Sequence, residues 1–201
     1  MKIIETNLSF AYDPGQRAAT DYIILHHAAA DGDVQAVHRY HRYTKGWSGI
    51  AYHFYVAKDG GVYRGRPEDW NGGHTGGYNH NSLGVCFEGN FETETMNDKQ
   101  LTAGRALIEY LRERYPAAAI VLHGEVNATA CPGMYFPKTE LLAEDDDDDR
   151  DSPAAWAVES CEKAQKLDIV RGDGEGYYGW QKPVSLERLL VILDRAGALG
   201  E

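Results

Sequence analysis

Tyr22-Ile23-Ile24-Leu25-His26-His27 is the run on which the fold turns. It has the length of a strand, it is apolar almost throughout, and it stops in two histidines. Such a run fits a buried strand of a sheet with helices packed on it. Working outward, residues 33–43 carry Val34, Val37, Tyr40 and His41 near one helical face. Residues 51–57 and 61–64 read as a hairpin around the turn dipeptide Asp59-Gly60. Residues 82–88 form another strand. Residues 97–115 form a long helix, with Asn97 as its N-cap and Pro116 just beyond its end. A short strand at 120–122 leads into His123. Strands interleaved with helices predict an α/β fold with a mixed central sheet flanked by helices.

The chain has 201 residues, 43% hydrophobic and 25% charged, which suits a globular protein with one sizeable core and a small second unit. No apolar run approaches the roughly 18–20 residues that span a bilayer, so membrane insertion is not expected. The N-terminal residues Met1-Lys2-Ile3-Ile4-Glu5-Thr6 do not read as a secretory leader. Synthesis in the cytoplasm and reduced cysteines are the expectation. Cys86 lies in an apolar strand as an ordinary buried thiol, and Cys161 lies in a helical pattern.

The net charge of −11 is unevenly spread. Residues 1–142 hold 13 basic and 16 acidic side chains, whereas residues 143–153 alone hold one and seven. With no basic stripe, nucleic acid is not expected as a partner. The acidic tract at 144–153 reads as a self-repelling linker and lacks the pattern of a calcium loop. It divides a first domain, 1–143, from a second, 154–201. The second has helical patterns at 153–166 and 186–196. Its glycine-rich segment 172–180 follows no strand and lacks the Lys-Ser/Thr of a phosphate loop.

The chemistry concentrates in two places. One is the His26-His27 strand end. The other is His123-Gly-Glu-Val-Asn-Ala-Thr129-Ala-Cys131-Pro132-Gly133, where a histidine and a cysteine stand eight residues apart around a loop. Two imidazoles and one thiolate can hold a zinc ion and leave its fourth position open, as a hydrolytic site requires. Successive strand side chains point to opposite faces, so His26 and His27 cannot both reach one ion. Periodicity alone leaves that choice even. His38 fits a helix surface, His41 a helix face, and His53 a strand position that packs or touches a substrate.

Four stretches together resemble the type-2 N-acetylmuramoyl-L-alanine amidases, a family of phage endolysins and peptidoglycan recognition proteins. They are Ile24-Leu25-His26-His27, Gly49-Ile-Ala-Tyr52-His53-Phe54, Tyr78-Asn-His-Asn-Ser-Leu-Gly-Val-Cys86, and His123 through Gly133. The resemblance covers about 120 residues. It implies metal ligands at His26, His123 and Cys131, a Zn2+ cofactor, a catalytic tyrosine at Tyr52 and an assisting residue at Thr129. Where short phage enzymes of this kind tend to carry lysine, this chain has threonine, which can only donate or accept a hydrogen bond. The substrate implied is the muramyl peptide of peptidoglycan, cut between N-acetylmuramic acid and L-alanine. The loop 72–79 would then border the peptide cleft, with His74 as a contact and Asn79 as a contact or a loop-fixing residue. Trp47 would stack on a sugar or stem peptide, or pack in the core. Glu88 or Glu125 could add a carboxylate, against the plainer reading of a salt bridge or exposed surface.

Residues 154–201 resemble a single S-layer-homology module through Trp156, Ile169-Val-Arg-Gly172 and Pro183-Val-Ser-Leu-Glu187-Arg. That resemblance implies binding of a secondary cell-wall polymer, and the alternative is a helical pair for homo-oligomerisation. The expectation is a phage or prophage endolysin that acts on the wall after release or membrane permeabilisation. A bacterial autolysin of the same chemistry and a non-catalytic peptidoglycan-binding protein are the alternatives.

Overall fold

The computed structural model describes residues 1–143, 153, 156–171, 178, 180 and 186–198. The chain divides into two compact units, Met1–Ala143 and Glu144–Glu201. In the first, six strands form one sheet: β1 (Ile3–Ile4), β2 (Tyr22–His27), β3 (Phe54–Val56), β4 (Val62–Arg64), β5 (Ser82–Phe87) and β6 (Ala119–Leu122). Their order is β1-β4-β3-β5-β2-β6. Only β3 and β4 pair antiparallel, as the hairpin around Asp59-Gly60. The other neighbours run parallel.

Parity along the strands decides which residues meet which helix. On one face Ile23 and Leu25, Phe54 and Val56, and Leu83, Val85 and Phe87 pack with Leu107, Ile108 and Leu111 of α2 (Asp98–Arg114). Leu141 of α4 (Lys138–Leu142) joins the same cluster. The opposite face carries a smaller core, in which Tyr55 and Cys86 meet Val34 of α1 (Val34–Arg39) and Ile50. His26 of β2 stands opposite Cys86 in register, so it falls on this second face. Large apolar residues fill the first face. Ser82, Gly84 and His26 leave polar groups and space on the second.

The helix ends follow local chemistry. Asn97 caps α2 by accepting the Gln100 N–H at 3.0 Å, as its side chain and position predict. Asp33 caps α1 by accepting the Ala36 N–H at 2.7 Å. The helix expected at 33–43 splits into α1 and a π-helical turn, Tyr40–Thr44. A short helix α3 (His123–Val126) follows β6 directly. The edge strand β1 has no counterpart in the sequence reading. At two residues it is too short to show any period.

The second unit contains α5 (Val158–Lys166) and α6 (Leu186–Arg195), close to the two helical patterns of the sequence. The linker assigned to 144–153 and most of the glycine-rich segment lie outside the described residues. Among the described residues, no helix is long and apolar enough to cross a membrane.

Candidate metal centre

Strand pairing creates the centre. Because β2 and β6 are parallel neighbours with Leu25 opposite Leu122, the next residues, His26 and His123, emerge side by side. Their ring centroids are 4.5 Å apart. The chain then turns through α3 and returns, with the Gly124 N–H donating to the Cys131 carbonyl at 2.8 Å. Cys131 Sγ thereby lies 3.7 Å from His26 Nδ1. The ligand atoms of His26, His123 and Cys131 all fall within 4.8 Å of one another, and among the described residues no fourth group joins them. Zinc bonds of about 2.0–2.3 Å to nitrogen and sulfur make such a set bridgeable by one ion. The donor chemistry and the missing fourth protein ligand both fit a catalytic zinc site.

The loop that presents Cys131 is pinned from behind. Gly133 has φ +107°, and a Cβ there would stand 2.3 Å from the Phe91 carbonyl carbon, so only glycine fits. The Tyr135 N–H donates to the Phe91 carbonyl, and the Met134 N–H donates to Glu92 Oε1. His27, on the far face of β2, accepts the Phe91 N–H at Nδ1, 3.2 Å away. The two adjacent histidines thus serve opposite sides of the sheet: His26 faces the donor cluster and His27 fastens the loop that backs it.

Burial holds His26 well below the usual imidazole pKa range, helped by the charges of His123 and His27. His123 is lowered by burial as well. Neutral imidazoles have a lone pair to give. Burial raises the Cys131 thiol to about 11.

Tyr52 lies against this group, its ring 5.1 Å from that of His26. Burial pushes its hydroxyl well above the ordinary tyrosine range, and the neighbouring Cys86 and Cys131 push it further. It is therefore a proton-bearing donor at neutral pH. Thr129 is exposed, and its Oγ1 accepts the Cys131 N–H at 3.2 Å. Beyond Tyr52 opens a cleft of about 440 Å³, with Ala28, Ala29 and Asp31 on one wall and Val37, Tyr40 and His41 on the other. Tyr52 is common to the cleft and the donor cluster.

The profile of the N-acetylmuramoyl-L-alanine amidases matches residues 16–134. The chain belongs to this family. The endolysin of Escherichia phage T7 is 34% identical over 143 residues, covering 65% of this chain and 94% of the phage protein. Peptidoglycan-recognition protein SC2 of Drosophila melanogaster is 32% identical over 124 residues, covering 56% of this chain and 67% of that protein. Among solved structures, the N-acetylmuramoyl-L-alanine amidase LysC from Clostridium intestinale is 38% identical with a TM-score of 0.67, covering 70% of this chain and 95% of that one.

In this amidase, three of the four residues expected at the substrate are committed elsewhere. His53 is fully buried. Its Nε2–H donates to the Trp70 carbonyl at 2.9 Å, and its Nδ1 accepts the Gly84 N–H at 3.0 Å. His74 is 8% exposed and lies behind His26, with its Nδ1 3.0 Å from His26 Nε2. Asn79 Oδ1 accepts the N–H groups of His74 and Thr75, so it fixes the loop. A loop position near a cleft does not reveal which way its side chains turn, and here they turn inward. Trp47 alone stays 39% exposed, packed on His41.

The two carboxylates are committed too. Glu88 accepts the N–H groups of Gly32 and Lys58, clamping the loop before α1. Glu125 accepts the Leu122 N–H and pairs with Lys138, which fixes the turn carrying His123. Sequence reasoning missed Ser82 and Gly84. Their signal was present: two small residues alternate on one face of an otherwise apolar strand.

Proposed function

We propose that this amidase holds a zinc ion on His26, His123 and Cys131 and hydrolyses the amide between N-acetylmuramic acid and L-alanine in peptidoglycan, as a phage endolysin. The observation that carries the reading is the cluster of three ligand atoms within 4.8 Å of one another, with Tyr52 against His26 and lining the neighbouring cleft, in a chain of the amidase family.

When bound, zinc supplies Lewis acidity toward the amide carbonyl and the attacking water. The protein's own groups do the rest. Tyr52 keeps its proton and donates a hydrogen bond to the oxygen that gains charge as the carbonyl is attacked. Thr129 holds the Cys131 backbone in place through its hydroxyl oxygen, and its hydroxyl hydrogen is left to donate. The cleft takes the stem peptide, with small residues on one wall giving room for backbone and aromatic rings on the other giving contact area. Trp47, beside His41, extends that wall toward a sugar.

The second unit binds a secondary wall polymer. Supporting this are Trp156, 90% exposed, and the half-open apolar side chains of Leu189, Leu190 and Val191 on α6. Self-association through the same helix is the competing use.

Two measurements test the main reading: the zinc content of the purified protein, and mass analysis of digested peptidoglycan. About one zinc per chain, and new L-alanine N-termini on an intact glycan, are expected. Full wall lysis by a Cys131→Ala variant would overturn the proposed mechanism. For the second unit, the full chain and a chain ending at Ala143 would be sedimented with cell walls, and equal retention would count against wall binding.

A further inference from the structure

Behind the metal cluster, a line of polar groups runs from His26 to the backbone of the loop before β5. His26 Nε2 lies 3.0 Å from His74 Nδ1. His74 Nε2 lies 3.4 Å from Ser82 Oγ, and Ser82 Oγ donates to the Tyr78 carbonyl at 2.6 Å. The last contact gives the line a direction. A carbonyl can only accept, so the single hydroxyl hydrogen of Ser82 is spent on it. Ser82 Oγ can then only accept from His74, which places the His74 proton on Nε2. His74 Nδ1 is left as an acceptor whose one lone pair is shared by the Thr75 hydroxyl at 2.9 Å and the His26 N–H, which also lies 3.4 Å from Thr75 Oγ1. His26 must therefore carry its own proton on Nε2.

The slot that holds the His74 ring is built for it. A Cβ on Gly72 would lie 2.5 Å from His74 Cδ2, and a Cβ on Gly84 would also lie 2.5 Å from that atom. The ring is thus clamped between two glycines, and a flip would turn a carbon toward His26. Asn79 locks the backbone on the same side through the His74 and Thr75 N–H groups.

We infer that His74 and Ser82 are positioning residues of the metal centre: a one-way hydrogen-bond relay anchored on the Tyr78 carbonyl commits His26 to present Nδ1 to the ion. This deepens the zinc reading and rests on it for its functional meaning. The relay itself belongs to the metal-free protein. Nδ1 is the His26 nitrogen that lies 3.7 Å from Cys131 Sγ, so the tautomer imposed from behind is the one the donor cluster needs. Partners of this kind fix ring orientation and ligand basicity, and their loss weakens metal affinity by about 10- to 100-fold.

The test has two arms on the full chain. Long-range 1H–15N spectra of histidine-labelled protein without metal should show His26 protonated at Nε2 and bare at Nδ1. Added zinc should move the Nδ1 resonance and leave Nε2 protonated. An Nδ1-protonated His26, or zinc arriving at Nε2, overturns the relay. In the second arm, zinc affinity is measured by competition with a chromophoric chelator. His74→Leu should bind about 10- to 100-fold more weakly. His74→Asn, whose Oδ1 falls near the former Nδ1, should recover most of the loss. Ser82→Ala should weaken binding less than His74→Leu and leave His26 as a mixture of tautomers. Unchanged affinity in a folded His74→Leu protein overturns the proposal. If that variant does not fold, the wild-type spectra and Ser82→Ala decide. A wild-type protein that takes up no zinc removes the proposed function, while its metal-free spectrum still judges the relay.

Discussion

Tyr52 touches both parts of the site, the ring of His26 on one side and the cleft on the other. Burial keeps the proton on its hydroxyl. Tyr52→Phe should lower kcat by about 10²- to 10³-fold, the usual loss for one donor to a developing oxyanion. Its zinc content and thermal midpoint should be close to those of the parent. Loss of zinc in this variant would mean that the ring, not the hydroxyl, is what the site needs. At this scale the sequence was most readable where a residue's chemistry is rare. A thiol beside a histidine, and a histidine pair at a strand end, stood out. His53 and His74 did not separate from substrate contacts, because their roles depend on backbone groups at Trp70, Gly84 and Ser82 that only the folded chain brings to them. The choice between His26 and His27 also lay outside the periodicity, and the sheet faces resolve it.

Among the elements, the loop from His123 to Gly133 is the most exacting. It has little regular structure and is held by α3, by Glu125 on the Leu122 N–H and by Gly133 against Phe91. Gly133→Ala combines a left-handed φ with a backbone overlap. It should destabilise the protein by about 1–3 kcal/mol or more and displace Cys131. Gly76, which has open space around its Cα, is the control, and Gly76→Ala should stay within about 0.5 kcal/mol. Urea midpoints and zinc affinities measured together would check both, and equal behaviour of the two variants would refute the argument. The long helix, the hairpin and the two central strands were legible because each repeats its pattern over enough residues. The two-residue β1 and the π-helical turn at Tyr40–Thr44 do not.

For the whole molecule, the histidines set the response to acid. Four of them, His27, His38, His41 and His53, accept a backbone N–H at Nδ1. Each must stay unprotonated there to do so. Burial pushes His53 down to about 3 and, with Arg66 nearby, His41 down to about 4. A histidine whose folded pKa lies below its unfolded value near 6.5 leaves stability intact above that pH. Stability is then lost as the pH falls from about 6.5 toward the folded value, by about 1.4 kcal/mol per pH unit for each such group. The urea midpoint should therefore decline steadily from pH 7 to pH 5, before most carboxylates titrate. A flat midpoint across that range would contradict the buried, neutral assignment. His53→Gln should remove its share of the slope.

His26 and Cys131 stand 105 positions apart in the chain. A cation gripping both would tie β2, the neighbour of the edge strand β6, to the loop that follows β6, a cross-link spanning most of the first unit in sequence. The unfolded chain has no comparable grip, so occupancy would add to folding free energy by about 2.7 kcal/mol at a hundredfold excess over the dissociation constant. Dialysis against a chelator should then lower the melting temperature by several degrees as well as stop lysis. The ion would be a detachable clasp, and a wall-cutting enzyme that loses it outside the cell would loosen and fall silent in one event.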